Sequence, residues 1–290
     1  MTHHARLNLI MLATIIGLAV FLYVRPQSQD IQEYPISSGL IEAVQNLRIV
    51  GLQQEIVLKR LGNHWHLLAP VRARADEKKT KKILEILTAH SSQRFPLADL
   101  ARFDLERPNA QLYVDDKYFG FGGFSPITNQ QYIATNDYVY MISPHYALAL
   151  PLNAADLINP QLLASDEIPV RLELNHLTVE LQNQDWLVTM QHTNEALDEE
   201  TIERWIQLWR TAHATKLVLK HELGSEFAET DRIKISLQDQ QEIDLRILQN
   251  ETEVIFLRAN EGISYHFPLN VGQQLLDPYI IKISKIAPGA

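Results

Sequence analysis

The chain contains no cysteine, which removes disulfides, thiolate metal sites and cysteine nucleophiles together. It also lacks a surplus of positive charge. Its 26 Lys and Arg face 35 Asp and Glu, a net charge of −9, and phosphate backbones are held by basic surfaces, so a nucleic-acid binder is excluded. No G-x-S-x-G elbow and no Walker A sequence occurs. His221-Glu222 opens like a zinc-protease helix but has no second histidine four positions on. Long apolar runs are nearly absent, and a single stretch approaches membrane length.

That stretch is Leu7 to Val24, LNLIMLATIIGLAVFLYV. Its eighteen residues reach roughly 27 Å as a helix, against a bilayer core of about 30 Å. Arg25 and Pro26 follow it with no small-residue cleavage step, so it reads as an uncleaved signal anchor. The slight bias of Lys and Arg predicts a cytoplasmic N-terminus, with the remainder periplasmic in a bacterial inner membrane. Ala13 and Gly17 have small-x-x-x-small spacing, which suits packing against a second membrane helix. The expected organisation is a cytoplasmic tip (1–6), an anchor (7–24), a Pro/Ser/Gln-rich linker (25–40), and modules at 41–164 and 165–290.

The fold class expected for the rest is α+β: two tandem modules of mainly antiparallel sheet, each with one principal helix. Alternating runs LRIVG, EIVLKRLG and HWHLLAP precede a helix opened by Asp76. Strands follow at AQLYV, YFGFGGF, QYIAT and YVYMIS. The order then recurs at a spacing of about 122 residues. VRLEL, TVELQ and DWLVTM form a second trio, Trp186 answers Trp65, and Asp198 answers Asp76 before a second helix. Two such copies indicate duplication of one module rather than a solenoid.

Several constellations invite a chemical reading, and each has a plainer one. His64 and His66 flank Trp65 on a strand and share its opposite face, but no third metal ligand is placed by sequence, so a solvent-facing surface is expected. Gly120, Gly122 and Gly123 precede another strand instead of a helix, which fits a bulge or bend better than a phosphate loop. Asp115-Asp116 marks a turn. Trp205 and Trp209 lie one helical turn apart and share a buried face. Lys78, Lys79, Lys81 and Lys82 make the first helix basic, whereas Glu199, Glu200 and Glu203 make the second acidic. The lysines form a candidate partner surface, although charged outer faces of helices are ordinarily only solvated. No catalytic, cofactor or metal residue emerges.

Trp65, Leu67 and Pro70 form a W-x-L-x-x-P element, followed by Ala75-Asp76 at a helix start and by Tyr132 to Ala134 paired with Tyr138 to Tyr140. In these residues the chain resembles the bacterial domain-of-unknown-function 4340 family, over about Leu40 to Pro278. Met190 and Gln191 run on where the second copy should carry a proline. The resemblance implies a non-enzymatic accessory or scaffold subunit of an ABC-type transporter assembly, with a permease and auxiliary subunits as partners. The alternative is a periplasmic module that binds a lipid, glycan or peptide between its two copies. An enzyme whose site is assembled from residues distant in sequence is a third reading.

Overall fold

The computed structural model describes residues 3–24, 33–51, 54–190, 197–219 and 228–281. Part of the expected linker (25–32), Gln191 and the His221-Glu222 pair lie outside them. A helix, α1 (His3–Val24), forms over the apolar run. Among the described residues, however, no helix is long and apolar enough to cross a membrane. The membrane-spanning anchor is therefore corrected. A Cβ added at Gly17 would have nothing within 4 Å.

The α+β expectation is corrected as well. The described residues are mostly β, in three sheets with few helices. In the first half the strands are β1 (Tyr34–Pro35), β2 (Asn46–Val50), β3 (Glu55–Leu61), β4 (His64–Ala69), β5 (Ala73–Arg74), β6 (His90–Ser91), β7 (Arg94–Pro96), β8 (Ala110–Val114), β9 (Lys117–Phe124), β10 (Gln131–Ala134) and β11 (Tyr138–Ile142). In the second they are β12 (Pro169–Glu173), β13 (Leu177–Gln182), β14 (Asp185–Met190), β15 (Lys216–Leu219), β16 (Ala228–Leu237), β17 (Glu242–Gln249), β18 (Glu253–Arg258) and β19 (Ile263–Pro268).

β1 and β6 make a two-stranded sheet. The nine-stranded sheet runs β5-β4-β3-β2-β8-β9-β10-β11-β7, and the eight-stranded sheet runs β14-β13-β12-β16-β17-β18-β19-β15. Position for position the two orders are the same, with β5 added at the end of the first. The hairpins agree too. Gly62, with φ 61°, opens the two-residue turn between β3 and β4, and Asn183 and Gln184, with φ 52° and 78°, make the turn between β13 and β14. Positive φ at such central residues matches the twist of the strands they join.

The helices are short for identifiable reasons. In α2 (Glu77–Leu84), Asp76 accepts hydrogen bonds from the Lys78 and Lys79 amides, and Thr80, Ile83 and Leu84 are buried. Its continuation, Glu85–Thr88, tightens into a 3₁₀ turn. After the single turn α3 (His145–Leu148), α4 (Glu199–Thr211) is capped by Asp198 and buries Ile202, Trp205, Ile206 and Trp209 on one stripe. Trp205 and Trp209 stand edge to face at 6.2 Å, and both indole N–H groups donate to Leu275 O in α5 (Leu269–Leu276).

One apolar core runs through both large sheets. The glycines of β9 serve the other face of the first sheet. A Cβ at Gly122 would overlap Phe103 O and Leu105, and one at Gly123 would overlap the Asp104 carboxylate. Glycine there lets the 3₁₀ segment Leu100–Phe103 lie directly on the strand. Phe103 and Leu105 then pack with Ala134 and Val139 in a second cluster.

Trp65 is 2% exposed beneath β4, whereas Trp186, second in β14 as Trp65 is in β4, is only partly buried. Trp65→Ala should therefore cost about 3–5 kcal/mol, and Trp186→Ala distinctly less. Denaturant unfolding of both variants checks this; equal losses would contradict the difference in burial.

Candidate functional site

A cleft of about 800 Å³ opens at the junction of the two halves. Its wall on the first half is built by the chain turning out of β4. The Ala75 amide donates to Trp65 O, the Asp76 amide to Leu157 O and the Asn159 amide to Arg74 O. The Glu77 carboxylate accepts from the Trp65 amide at 2.7 Å. These bonds fix the strand end, the cap and the first turn of α2 against residues 157–159.

Arg74 projects from β5 into the floor of the cleft, with its side chain 11% exposed. Its Nε donates to Glu261 at 2.7 Å and its Nη1 to Glu167 at 3.0 Å. Its Nη2 donates to Tyr265 Oη at 2.9 Å and to the carbonyls of Gln161 and Leu162 at 3.1 and 3.3 Å. Arg258, at the end of β18, pairs with Glu167 from the other side and donates to Leu162 O. Tyr265 donates to Glu261 at 2.7 Å, and Glu167 also accepts from the Ala164 amide at 2.7 Å.

Two guanidinium groups thus meet two carboxylates, and the cluster is neutral. Burial alone would raise the Glu167 pKa, but its hydrogen bond to Arg258 and the nearby Arg74 charge more than offset this and hold it below the usual carboxylate value. Burial likewise opposes the charge on Arg74, yet the surrounding Tyr265, Glu261 and Glu167 leave it more basic than an ordinary arginine. Burial, assisted by Glu261, keeps the Tyr265 phenol protonated far above its usual range. The polar groups of the cluster are engaged by one another and by the backbone of Gln161, Leu162 and Ala164. The arrangement is that of a clamp, since Arg74 belongs to the first half and Glu167, Arg258, Glu261 and Tyr265 to the second.

The residues singled out by sequence fall around this clamp unevenly. Trp65, Asp76 and Lys78 line the cleft. His64 also does, and its ring stands 3.6 Å from Glu77 and 3.7 Å from Asp166. Among the described residues no group of three or more His, Asp or Glu is arranged to hold a metal ion. Lys79 turns to the other side of α2 and donates to Asp156 O at 2.7 Å, while Lys81 and Lys82 are exposed. Trp186 and Asp198 are not part of the cleft lining. The clamp itself was missed, because its charges come from three separate segments, and Arg74 and Glu261 are 187 positions apart. One signal was available: Arg258 ends the apolar run VIFLR, and a charge in a strand otherwise buried on both faces needs a partner.

The fold and this junction define a class: a β protein with two large sheets whose halves are joined through buried, mutually satisfied charges. The chain belongs to the family described as Domain of unknown function (DUF4340), whose model matches residues 65–220. The matched span takes in Arg74 and Glu167 and stops short of Arg258 and Glu261. Comparison with curated proteins and with solved structures gives no match.

Removing one member of a buried ion pair typically costs about 3–5 kcal/mol, and Arg74→Ala should lose stability on that scale. Glu167 has a pKa below its ordinary 4.5, so its contribution is complete above that pH and is lost as pH falls through the lower folded value. Thermal unfolding between pH 6 and pH 3 should show a steeper loss for the native chain than for Glu167→Gln, which starts less stable. Parallel curves would refute the assignment.

Proposed function

We propose that the chain is a non-enzymatic accessory subunit, working by contact with other proteins of a larger assembly. The observation that carries this reading is the clamp. The most concentrated group of buried titratable side chains is spent on joining the halves, each charge answered by another, so its chemistry is that of a fixed body. A continuous apolar core across the junction supports the same reading. Membership of the family is consistent with an accessory role in an ABC-type transporter assembly, with a permease and auxiliary subunits as the partners.

A second reading rests on the cleft. At about 800 Å³ it is in the range of small-molecule sites, and its mixed charged and apolar walls suit a polar ligand such as a glycan or a short peptide. Ligand-dependent thermal shift separates the two, since a ligand held only by the folded state raises its apparent stability.

The decisive measurement for the accessory reading is recovery of the tagged chain from its own cells under mild extraction, with companions identified by mass spectrometry. Subunits of an ABC-type assembly should be recovered in near-stoichiometric amount. A chain that emerges alone under several extraction conditions would overturn the proposal.

A further inference from the structure

The second large sheet ends at β15, and that end has a groove alongside it. On one side β15 pairs with β19, from Lys216↔His266 to Leu219↔Ile263. On the other side the chain just before it has a partner: Gln161 bridges His213 in antiparallel sense, and the Ala214 amide donates to Pro160 O at 2.9 Å. That partner then turns away, and among the described residues no strand pairs with the outer side of β15. A groove of about 760 Å³ takes its place, lined by every residue from Ala214 to Leu219. Successive side chains of a strand point to opposite faces, so unbroken lining by consecutive residues means that the groove follows the backbone edge and not one face.

The opposite wall carries the charge. Lys79 of α2, Asp156 of the 3₁₀ turn Ala154–Leu157 and its cap Asn153 face β15 across the groove. The Asp156 carboxylate is engaged by the Leu152 and Asn153 amides at 3.1 and 3.0 Å, whereas Lys79 and Lys216 place two ammonium groups in the lining. Leu217, Val218 and Leu219 are half-buried and add apolar surface between them.

Resting on the accessory reading above, we propose that the outer edge of β15 is the docking site for an extended acidic segment of a partner protein, which joins the sheet as one more antiparallel strand. Unpaired N–H and C=O groups of an edge strand are a template for such addition, with main-chain bonds giving affinity and flanking side chains giving selectivity. Lys79 and Lys216 select carboxylates, and the Pro160–Gln161 stub sets the line along which the added strand continues.

The test uses the full chain and three labelled decapeptides: alternating Glu/Val, alternating Lys/Val, and Glu/Val with alternate amides N-methylated in both registers. Fluorescence anisotropy should show saturable binding of the first. The second should bind about tenfold more weakly or not at all, as should at least one register of the third. A Lys79→Glu/Lys216→Glu chain should lose about tenfold in affinity for the Glu/Val peptide while still unfolding in one cooperative transition. Absence of Glu/Val binding, or equal binding of the Lys/Val or of both N-methylated peptides, overturns the proposal without recourse to any variant. Companion proteins retained in full by the doubly substituted chain also overturn it while leaving the accessory reading intact. A native chain that binds the acidic peptide yet purifies alone overturns the accessory reading and not the edge.

Discussion

Arg74 is asked to do something costly. A guanidinium removed from water loses several kcal/mol of hydration, and this one is nearly buried at the meeting of two sheets. It is tolerated because five acceptors converge on its donors: two carboxylates, a phenol and two backbone carbonyls. Those acceptors come from the second half of the chain or the segment leading into it. The cost of burial is therefore offset only when the halves meet in one relative placement. An apolar contact tolerates sliding, whereas this network does not, because a displaced half leaves charges buried and unpaired. The cleft, the first turn of α2 and the groove beside β15 all depend on that placement.

The two sheets repeat one strand order and finish it differently. In the first half β5 pairs with β4 and brings Arg74 and Ala75 to the junction. β14, which holds the place of β4, ends the second sheet. At the opposite ends, β7 pairs with β11 and β15 with β19. A repeated scaffold thus carries unrepeated edges, and it is the edges that differ in charge and partner. The helices follow the same logic. α2 presents lysines and its first turn faces the junction, while α4 spends its apolar stripe on Trp205 and Trp209, locked to Leu275.

Local chemistry was the part most open to reading from sequence. Asp76 and Asp198 stand before helical periodicity and cap α2 and α4. Asp115-Asp116 lies in the turn between β8 and β9, with Asp115 at φ 51° and bonded to the Asn46 amide. Gly120 to Gly123 were legible as a strand irregularity, but the reason, a 3₁₀ segment lying on the strand, depends on Phe103 and Leu105 arriving from earlier in the chain. The charge-free run Leu7 to Val24 misled: it reads as a membrane span, yet no helix among the described residues is long and apolar enough to cross one. The clamp was not legible. Pairing among Arg74, Glu167, Arg258 and Glu261 is a property of tertiary placement, and no local period or spacing encodes it.

The first turn of α2 is where these constraints become functional geometry. Glu77 is tied to the Trp65 amide on the cleft side, Asp76 to Leu157 O, and Lys79 to Asp156 O on the groove side. The turn is thus a fixed wall between the cleft and the groove. Binding at either place then proceeds on a preformed surface and avoids the entropy of ordering a loop, a cost that otherwise consumes much of the gross interaction energy. Opening the cleft would have to break the pairs of Arg74 with Glu167 and Glu261, whose members are nearly buried. On the accessory role proposed above, such a body would act by presenting fixed surfaces rather than by motion.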